Sequence, residues 1–451
     1  MAHHALDRHV ALVGFMGAGK STLGPVLAER LGRPFVSVDA VVEAQTGSSI
    51  ADVFASRGEA SFRELEATAA REVLARSELA VVELGGGALG AATTRSALAA
   101  HAFVLHLDVT PDEAWRRVQG SDRPLARDRD AFSALFEERL PLYRAADATA
   151  SDVDGAVLAA AGIRFDSHET VRGDALVADP VVADLHGVDA RVLVRGKSLA
   201  DAELLWRGLE LERSSTVVAL GGGTTTDLAG FVAATYMRGI DWIAVPSTLV
   251  GQVDAAIGGK TAIDLGEGKN LVGAFHWPRE TVIDTSLLET LDDGERRNGL
   301  AEVVKTGLLA GEPLWELETL PQVRACAAFK AAICLDDPHE RGRRAHLNLG
   351  HTFGHALEAA SGYALPHGRA VALGLLAALR LSGLDTDVVE SVLAPEPVTV
   401  DRDAAWAALH RDKKIRDGRV NLVLLESPGK PYVTSDVEPE RVRAALDALI
   451  A

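Results

Sequence analysis

Short apolar runs that end in glycine clusters recur along the chain. Positions 10–13 form an apolar strand that runs straight into Gly14-Phe-Met-Gly-Ala-Gly-Lys-Ser21, and a helical pattern follows to Leu31. Positions 35–39 read as a second strand ending in the acid Asp39, and Val81-Val-Glu-Leu-Gly-Gly-Gly87 as a strand ending in three glycines. Ser61-Phe-Arg-Glu-Leu-Glu66 opens a helix carrying Arg63. An Ala-rich helix after Gly155 and the polar run Asp166-Ser-His-Glu-Thr170 put a domain boundary near 164–172. Alternating strands at 175–182 and 190–194 begin the next unit, with a helix from Lys197-Ser-Leu through Leu211. The strand 216–220 then meets Gly221-Gly-Gly-Thr-Thr-Thr-Asp-Leu-Ala-Gly230. Strands alternating with helical spacing predict α/β units with parallel sheets.

The total of 451 residues favours about three domains, and 47% hydrophobic residues suffice for real cores. A net charge of -18 disfavours nucleic acid or an anionic membrane as partner. Cys326 and Cys334 are too few for a disulfide framework and fit a reducing cytoplasm. The N-terminus lacks an apolar signal core, and no run reaches the ~18 apolar residues of a membrane helix.

Two stretches carry chemistry. In the first, strand, glycine loop and helix follow G-x-x-x-x-G-K-[ST]: backbone N–H groups of Gly17, Ala18, Gly19 and Thr22 would cradle the phosphates of ATP or GTP, Lys20 would reach the outer ones and Ser21 would hold Mg²⁺. Asp39 and the guanidinium groups of Arg63, Arg117, Arg123 and Arg139, taken together, suit a small carboxylated, hydroxylated substrate.

In the second, Glu302 and Lys305 share a helical face inside an apolar segment, where bare charges are costly unless paired or metal-bound. Asn348-Leu-Gly-His-Thr-Phe-Gly-His355 places His351 and His355 on one face of a helix, and His367 follows. A carboxylate with two or three imidazoles suits catalytic Zn²⁺ with an open position. Upstream, the helix after Gly222 and Gly223 could receive a dinucleotide pyrophosphate at its N-terminus. Polar groups gather between these features: Arg238, Thr248, Asp254, Lys260, Lys269, Asn270, Lys330, Glu340, Arg344, and late in the chain Arg411-Asp-Lys-Lys414. Together they point to oxidation at a metal-bound alcohol beside a nicotinamide, on a phosphorylated substrate.

With these motifs in hand, the first 165 positions resemble shikimate kinase. The resemblance implies that Asp39 meets the shikimate hydroxyls, that Arg63 and Arg139 hold its carboxylate, and that Gly85, Gly86 and Gly87 line its ring. Arg123, in a lid around 120–130, would cover the ATP phosphates, with Arg117 near the adenine end. The family usually has Asp-x-Asp, and here Ser37 replaces the first acid, which commonly supports the Mg²⁺ water shell.

The motifs from Leu220 to Lys414 resemble 3-dehydroquinate synthase. That family has a Rossmann-like NAD domain, expected over 172–285, and a mainly α-helical metal domain, expected over 286–451. The implied ligands of Zn²⁺ or Co²⁺ are Glu302, His351 and His367. Asp254, Lys260, Asn270, Lys305, Lys330, Glu340, Arg344, Asn348 and His355 would surround a heptulosonate phosphate, with Arg238 and Lys413 or Lys414 at its phosphate. Gly222, Gly223, Asp227, Thr248, Lys260 and Lys269 would meet NAD⁺, which is recycled as substrate is oxidised, loses phosphate, is reduced again and closes its ring. A homodimer through this half is expected. Here too the chain departs from pattern: the segment 174–217 is short, its usual Gly-Glu-x-x-Lys-Ser has become Arg195-Gly-Lys-Ser198, and an acid for the adenosine ribose is missing. Ser247 and Arg369 stand where Thr and Glu are usual. The expected protein is a bifunctional enzyme of two non-consecutive shikimate-pathway steps, with another sugar-phosphate cyclase, or a nucleotide-binding scaffold beside an active kinase, as alternatives.

Overall fold

The computed structural model describes residues 3–119, 128–411, 415–416 and 419–451. The chain divides into two compact units, Met1–Ile163 and Arg164–Ala451.

The first unit is built on a five-stranded parallel sheet in the order Phe35–Ser37, Val81–Glu83, His9–Val13, Ala102–Leu107, Ala148–Ala150. His9–Val13 is central and buried at all five positions, as a strand covered on both faces must be. Its C-terminal end turns through the glycine loop into the helix Lys20–Arg30. That loop requires glycine at position 17, where φ is 83° and a Cβ would lie 2.8 Å from the Ala114 carbonyl oxygen. One expected element differs. The second strand stops at Ser37, which caps the helix Val38–Thr46 and leaves Asp39 in its first turn. A helical stretch from Ile50 precedes the helix bearing Arg63, and the two are broken at Gly58, where φ is 77°, shortly before Ser61.

The second unit holds a parallel sheet running Glu280–Ile283, Asp241–Pro246, Thr216–Gly221, Ala175–Ala178, Val192–Leu193. Alternate residues feed two cores: Val217 and Ala219 pack with Leu228, Val232 and Trp242, and Val218 and Leu220 with Ile243, Val245 and Val282. This period of two is the sheet's own. The expected strand 175–182 ends at Ala178, because Asp179 caps a short helix, Pro180–Leu185, whose first position takes proline. After the hairpin Lys260–Leu265 and Gly268–Phe275 the chain becomes largely helical, with Asp293–Ala310, Thr319–Asp336, His351–Ala360 and His367–Ser382 as the main helices. Val304, Leu308, Phe353, Leu357, Leu375 and Leu379 are among the residues of its core. Cys326 and Cys334 are both free and buried. No described helix is long and apolar enough to cross a membrane.

Asp284 closes the strand Glu280–Ile283. Its carboxylate accepts from the N–H and Nδ1 of His168, at 2.8 and 2.7 Å, and from the N–H and hydroxyl of Ser286, at 3.0 and 2.6 Å. Burial alone would raise its pKa, but these bonds outweigh burial and hold it at about 2. A depressed carboxylate stabilises the fold above the unfolded value of 3.8 and loses that contribution as pH falls toward 2. Asp284→Asn is therefore expected to cost about 2 kcal/mol at pH 7. Urea unfolding of the two proteins should show the gap closing between about pH 4 and pH 2.

Candidate active sites

In the first unit the Lys20 ammonium is drawn back over the loop, donating to the carbonyls of Gly14 at 2.7 Å and Phe15 at 3.3 Å. Gly17, Ala18, Gly19 and Thr22 form the loop and first helical turn around it. Ser21 starts the same helix and donates its hydroxyl to Glu83 Oε1 at 2.6 Å. Arg117 bonds the Gly17 carbonyl at 3.0 Å and pairs with Glu113, so it lies against the phosphate loop. Arg123 and most of the expected lid lie outside the described residues.

The three glycines at 85–87 are where the substrate residues meet. A Cβ at Gly87 would lie 2.5 Å from the Arg63 guanidinium carbon, and one at Gly85 would overlap Glu66 Oε1 and come 3.3 Å from Asp39 Oδ1. Arg139 and Tyr143 both donate to the Gly86 carbonyl, at 3.1 and 2.5 Å. Glu66 is almost fully buried, so burial raises its pKa against the opposing pull of Arg63, 2.7 Å away. Asp39, Arg63, Arg139 and the glycines thus converge. Sequence reasoning gave no role to Glu66, which sits one turn from Arg63, or to Tyr143, one turn from Arg139.

In the second unit a cavity of about 1290 Å³ is bounded at one end by Gly222, Gly223, Asp227 and Thr248 and at the other by His351, His355 and His367. Asp254, Lys260, Lys269, Asn270, Lys305, Lys330, Glu340, Arg344 and Asn348 also line it. Glu302 lies fully buried beneath this wall. Arg238 does not line it. It is exposed on the turn after Gly223–Thr235, at the far end of a 13-residue helix, about 20 Å from the glycines. Lys413 and Lys414 lie outside the described residues.

Ligand atoms of Glu302, His351 and His367 all fall within 4.8 Å of one another. His367 Nε2 is 3.1 Å and His351 Nε2 3.5 Å from Glu302 Oε1. The Nδ1 of His351 faces the Leu349 carbonyl at 3.2 Å, and that of His367 faces Glu358 at 3.6 Å. Each ring therefore turns Nε2 toward Glu302, as a ligating histidine held by an outer partner does. His355 stays outside the cluster, its exposed ring 5.3 Å from that of His351. The cluster unites the three expected ligands, Glu302, His351 and His367, and leaves His355 beside it. Burial would lower the pKa of both ligand rings. His351, also near Lys305, is lowered. His367, between Glu302 and Glu358, is pushed up to about 10. The field that favours a proton there favours a divalent cation, so this donor set fits a metal.

Behind the cluster the charges alternate. Glu302 pairs with Lys305, Lys305 with Asp254 at 3.3 Å, and Asp254 with Lys330 at 2.9 Å. Burial opposes charge on Glu302 and on Asp254, yet Lys305 holds Glu302 well below the carboxylate range, and both lysines hold Asp254 at about 2. Lys260 pairs with Glu340 at 2.5 Å, Asn348 donates to Glu340 at 2.9 Å, and Arg344 bonds the Gly258 carbonyl at 2.8 Å. Lys269 pairs with Glu358 at 3.3 Å, and Lys197 with Asp227 at 2.7 Å while touching Asn270. Glu358 escaped sequence reasoning, although it stands seven residues from His351 on the same helical face.

At the glycine end no side chain caps the helix Gly223–Thr235. A Cβ at Gly222 would come 3.0 Å from Thr248, and one at Gly223 3.1 Å from Ala255. The open N–H groups and this closeness fit a dinucleotide phosphate. Asp179, at the edge, spends its carboxylate on the N–H groups of Val181 and Val182.

Comparison with known families matches residues 16–162 to shikimate kinase, 195–298 to the 3-dehydroquinate synthase N-terminal family and 299–414 to its C-terminal family. The 3-dehydroquinate synthase of Symbiobacterium thermophilum is 40% identical over 367 aligned residues, covering 70% of this chain and 99% of that protein. That of Caulobacter vibrioides is 43% identical over 56% of this chain and 76% of that protein. Among solved structures, 2-deoxy-scyllo-inosose synthase with carbaglucose-6-phosphate, NAD⁺ and Co²⁺ aligns at 23% identity and TM-score 0.56 over 63% of this chain and 96% of that one. ValA, a 2-epi-5-epi-valiolone synthase from Streptomyces hygroscopicus subsp. jinggangensis with NAD⁺ and Zn²⁺ bound, aligns at 26% and 0.50 over 64% and 90%. The chain belongs to the 3-dehydroquinate synthase family and carries a shikimate kinase domain ahead of it, a fusion of two shikimate-pathway enzymes.

Proposed function

We propose that the first unit phosphorylates shikimate from MgATP and that the second converts 3-deoxy-D-arabino-heptulosonate 7-phosphate to 3-dehydroquinate with release of phosphate. The observation that carries the second reading is one cavity bounded both by the uncapped glycine helix and by His351 and His367, which cluster with the buried Glu302. A different sugar-phosphate cyclase is the competing reading. Relatives at 40–43% identity are named 3-dehydroquinate synthases, whereas ValA stands at 26%, which favours the first.

In the kinase, catalysis is positioning and charge neutralisation. Backbone N–H groups of 17–22 and the Lys20 ammonium would hold the phosphates, while Arg63 and Arg139 would clamp the substrate carboxylate across the glycine loop. Asp39, beside Gly85, would fix the hydroxyl that attacks. Mg²⁺ would neutralise charge on the transferred phosphoryl group.

In the synthase, Glu302, His351 and His367 would hold Zn²⁺ or Co²⁺, and NAD⁺ would lie along Gly222, Gly223 and Thr248, with Asp227 and Lys269 nearby. Bound there, the metal supplies acidification of a substrate hydroxyl and NAD⁺ a reversible hydride acceptor. Lys305 and Lys330 fix the Asp254 carboxylate so that it can orient hydroxyls. Lys260 and Arg344 place positive charge at the other wall, and Asn348 and His355 offer hydrogen bonds. We place the enzyme in the cytoplasm.

Purified protein given NAD⁺, Zn²⁺ or Co²⁺ and the heptulosonate phosphate should release inorganic phosphate; none under any metal would sink the synthase reading. Glu302→Gln should abolish that release. It should also weaken Co²⁺ binding, read from visible absorbance, by more than the roughly 100-fold that loss of an outer partner costs. ADP formation should depend on shikimate and fall to background in Lys20→Ala. The lost ribose acid should weaken NAD⁺ binding by about 10- to 100-fold, the worth of a charged hydrogen bond. Submicromolar NAD⁺ affinity by calorimetry would count against that.

A further inference from the structure

The P-loop serine needs an acidic neighbour to hold Mg²⁺ well, and the expected acid at position 37 is a serine. Ser37 is otherwise engaged, its hydroxyl accepting from the Ala40 N–H at 3.5 Å as the cap of Val38–Thr46. An acid stands on the adjacent strand instead. In the parallel pairing of Phe35–Ser37 with Val81–Glu83, Ser37 is the register partner of Glu83. Laterally paired residues of neighbouring strands project on the same face, about 4.8 Å apart. A glutamate at 83 therefore reaches the space that a carboxylate at 37 would occupy.

Its contact identifies its use. Glu83 Oε1 accepts the Ser21 hydroxyl at 2.6 Å. Among the described residues no lysine or arginine forms an ion pair with this half-buried carboxylate. Accepting the hydroxyl proton turns the Ser21 oxygen lone pairs outward, the orientation a metal-ligating hydroxyl requires. The other carboxylate oxygen remains for water on the ion.

We propose that Glu83 is the metal-positioning acid of this kinase, taking over from the neighbouring strand the Mg²⁺ support lost at Ser37. The inference rests on the kinase reading of the first unit. It makes the Ser37 departure a relocation of one charge rather than a loss.

The test uses the full-length protein with ADP and Mn²⁺, whose binding is followed by electron paramagnetic resonance. Glu83→Gln is close in size. It should weaken Mn²⁺ in the ADP complex about 10- to 100-fold, the usual worth of an outer-shell ligand, while metal-free ADP binds as before. Adding Ser37→Asp to Glu83→Gln should restore most of the Mn²⁺ affinity, because it returns the charge to the other strand. The KM for MgATP should rise in Glu83→Gln with little change in that for shikimate. Unchanged Mn²⁺ affinity in Glu83→Gln would overturn the proposal and leave the kinase reading standing. Equal loss of metal-free ADP binding, without rescue by Ser37→Asp, would also overturn it by showing a purely structural role. Wild-type protein that binds no ADP with or without Mn²⁺ would sink the kinase reading itself.

Discussion

The synthase site depends on a buried row of alternating charges, Glu302, Lys305, Asp254 and Lys330. Removing ions from water costs several kcal/mol each, and only close opposite charges with further hydrogen bonds return it. Every member is therefore fixed by the next. Glu302 and Lys305 are three apart on Asp293–Ala310, Lys330 comes from Thr319–Asp336, and Asp254 from the π-helical turn Gly251–Ala255. A π turn has a widened backbone and is common at functional sites. Lys330 also ties that turn down through the Asp254 carbonyl at 2.7 Å. The row sets the imidazoles in turn. Burial, together with Lys305, lowers the pKa of His351, while Glu302 and Glu358 make the surroundings of His367 favour positive charge.

The kinase site is organised otherwise. Its phosphate loop works through backbone N–H groups, which carry no ionisation cost and need only the right dihedral angles. Gly17 and Gly19 supply these, with φ of 83° and 93°. Lys20 and Glu66 are buried there, Lys20 over the loop carbonyls and Glu66 paired with Arg63 across one helical turn. A site built on backbone geometry can exchange a side chain at its margin with little structural cost, which is consistent with an acid shifting from 37 to 83. The buried row of the synthase leaves no such freedom, since each charge has a named partner.

What could be read from sequence follows the same division. The strand, loop and helix of 10–31 and the glycine turn at 221–223 were legible because local geometry demands glycine and a helix N-terminus. Glu302 and Lys305 were legible because charges in an apolar helix require partners. Arg238 does not line the cavity, because a motif gives spacing along the chain but not which end of a helix faces it. Strand 175–182 was overextended because Pro180 and Asp179 form a helix start within an apolar run. Glu83 lay in a strand read only for its glycines, and its importance appears only when register sets it beside Ser37. Glu358 follows the helical period from His351, yet its meeting with Lys269 and His367 is tertiary.

The shortened nucleotide lobe shows how the fold tolerates loss at a sheet edge. Seventy per cent of 451 residues is about 316, fewer than the 367 aligned positions with the Symbiobacterium thermophilum enzyme, so gaps must fill the difference. The match to the N-terminal synthase family begins only at residue 195. The central strands Thr216–Gly221 and Asp241–Pro246 keep neighbours on both sides and core on both faces. The edge strand Val192–Leu193 has two residues, and Val181, Leu185 and Leu193 around it are at least half exposed. Gly222 and Gly223 follow the central strand Thr216–Gly221, and the row behind Glu302 comes from elements later in the chain. The central strands thus keep their packing on both faces although the edge beside them is short and exposed.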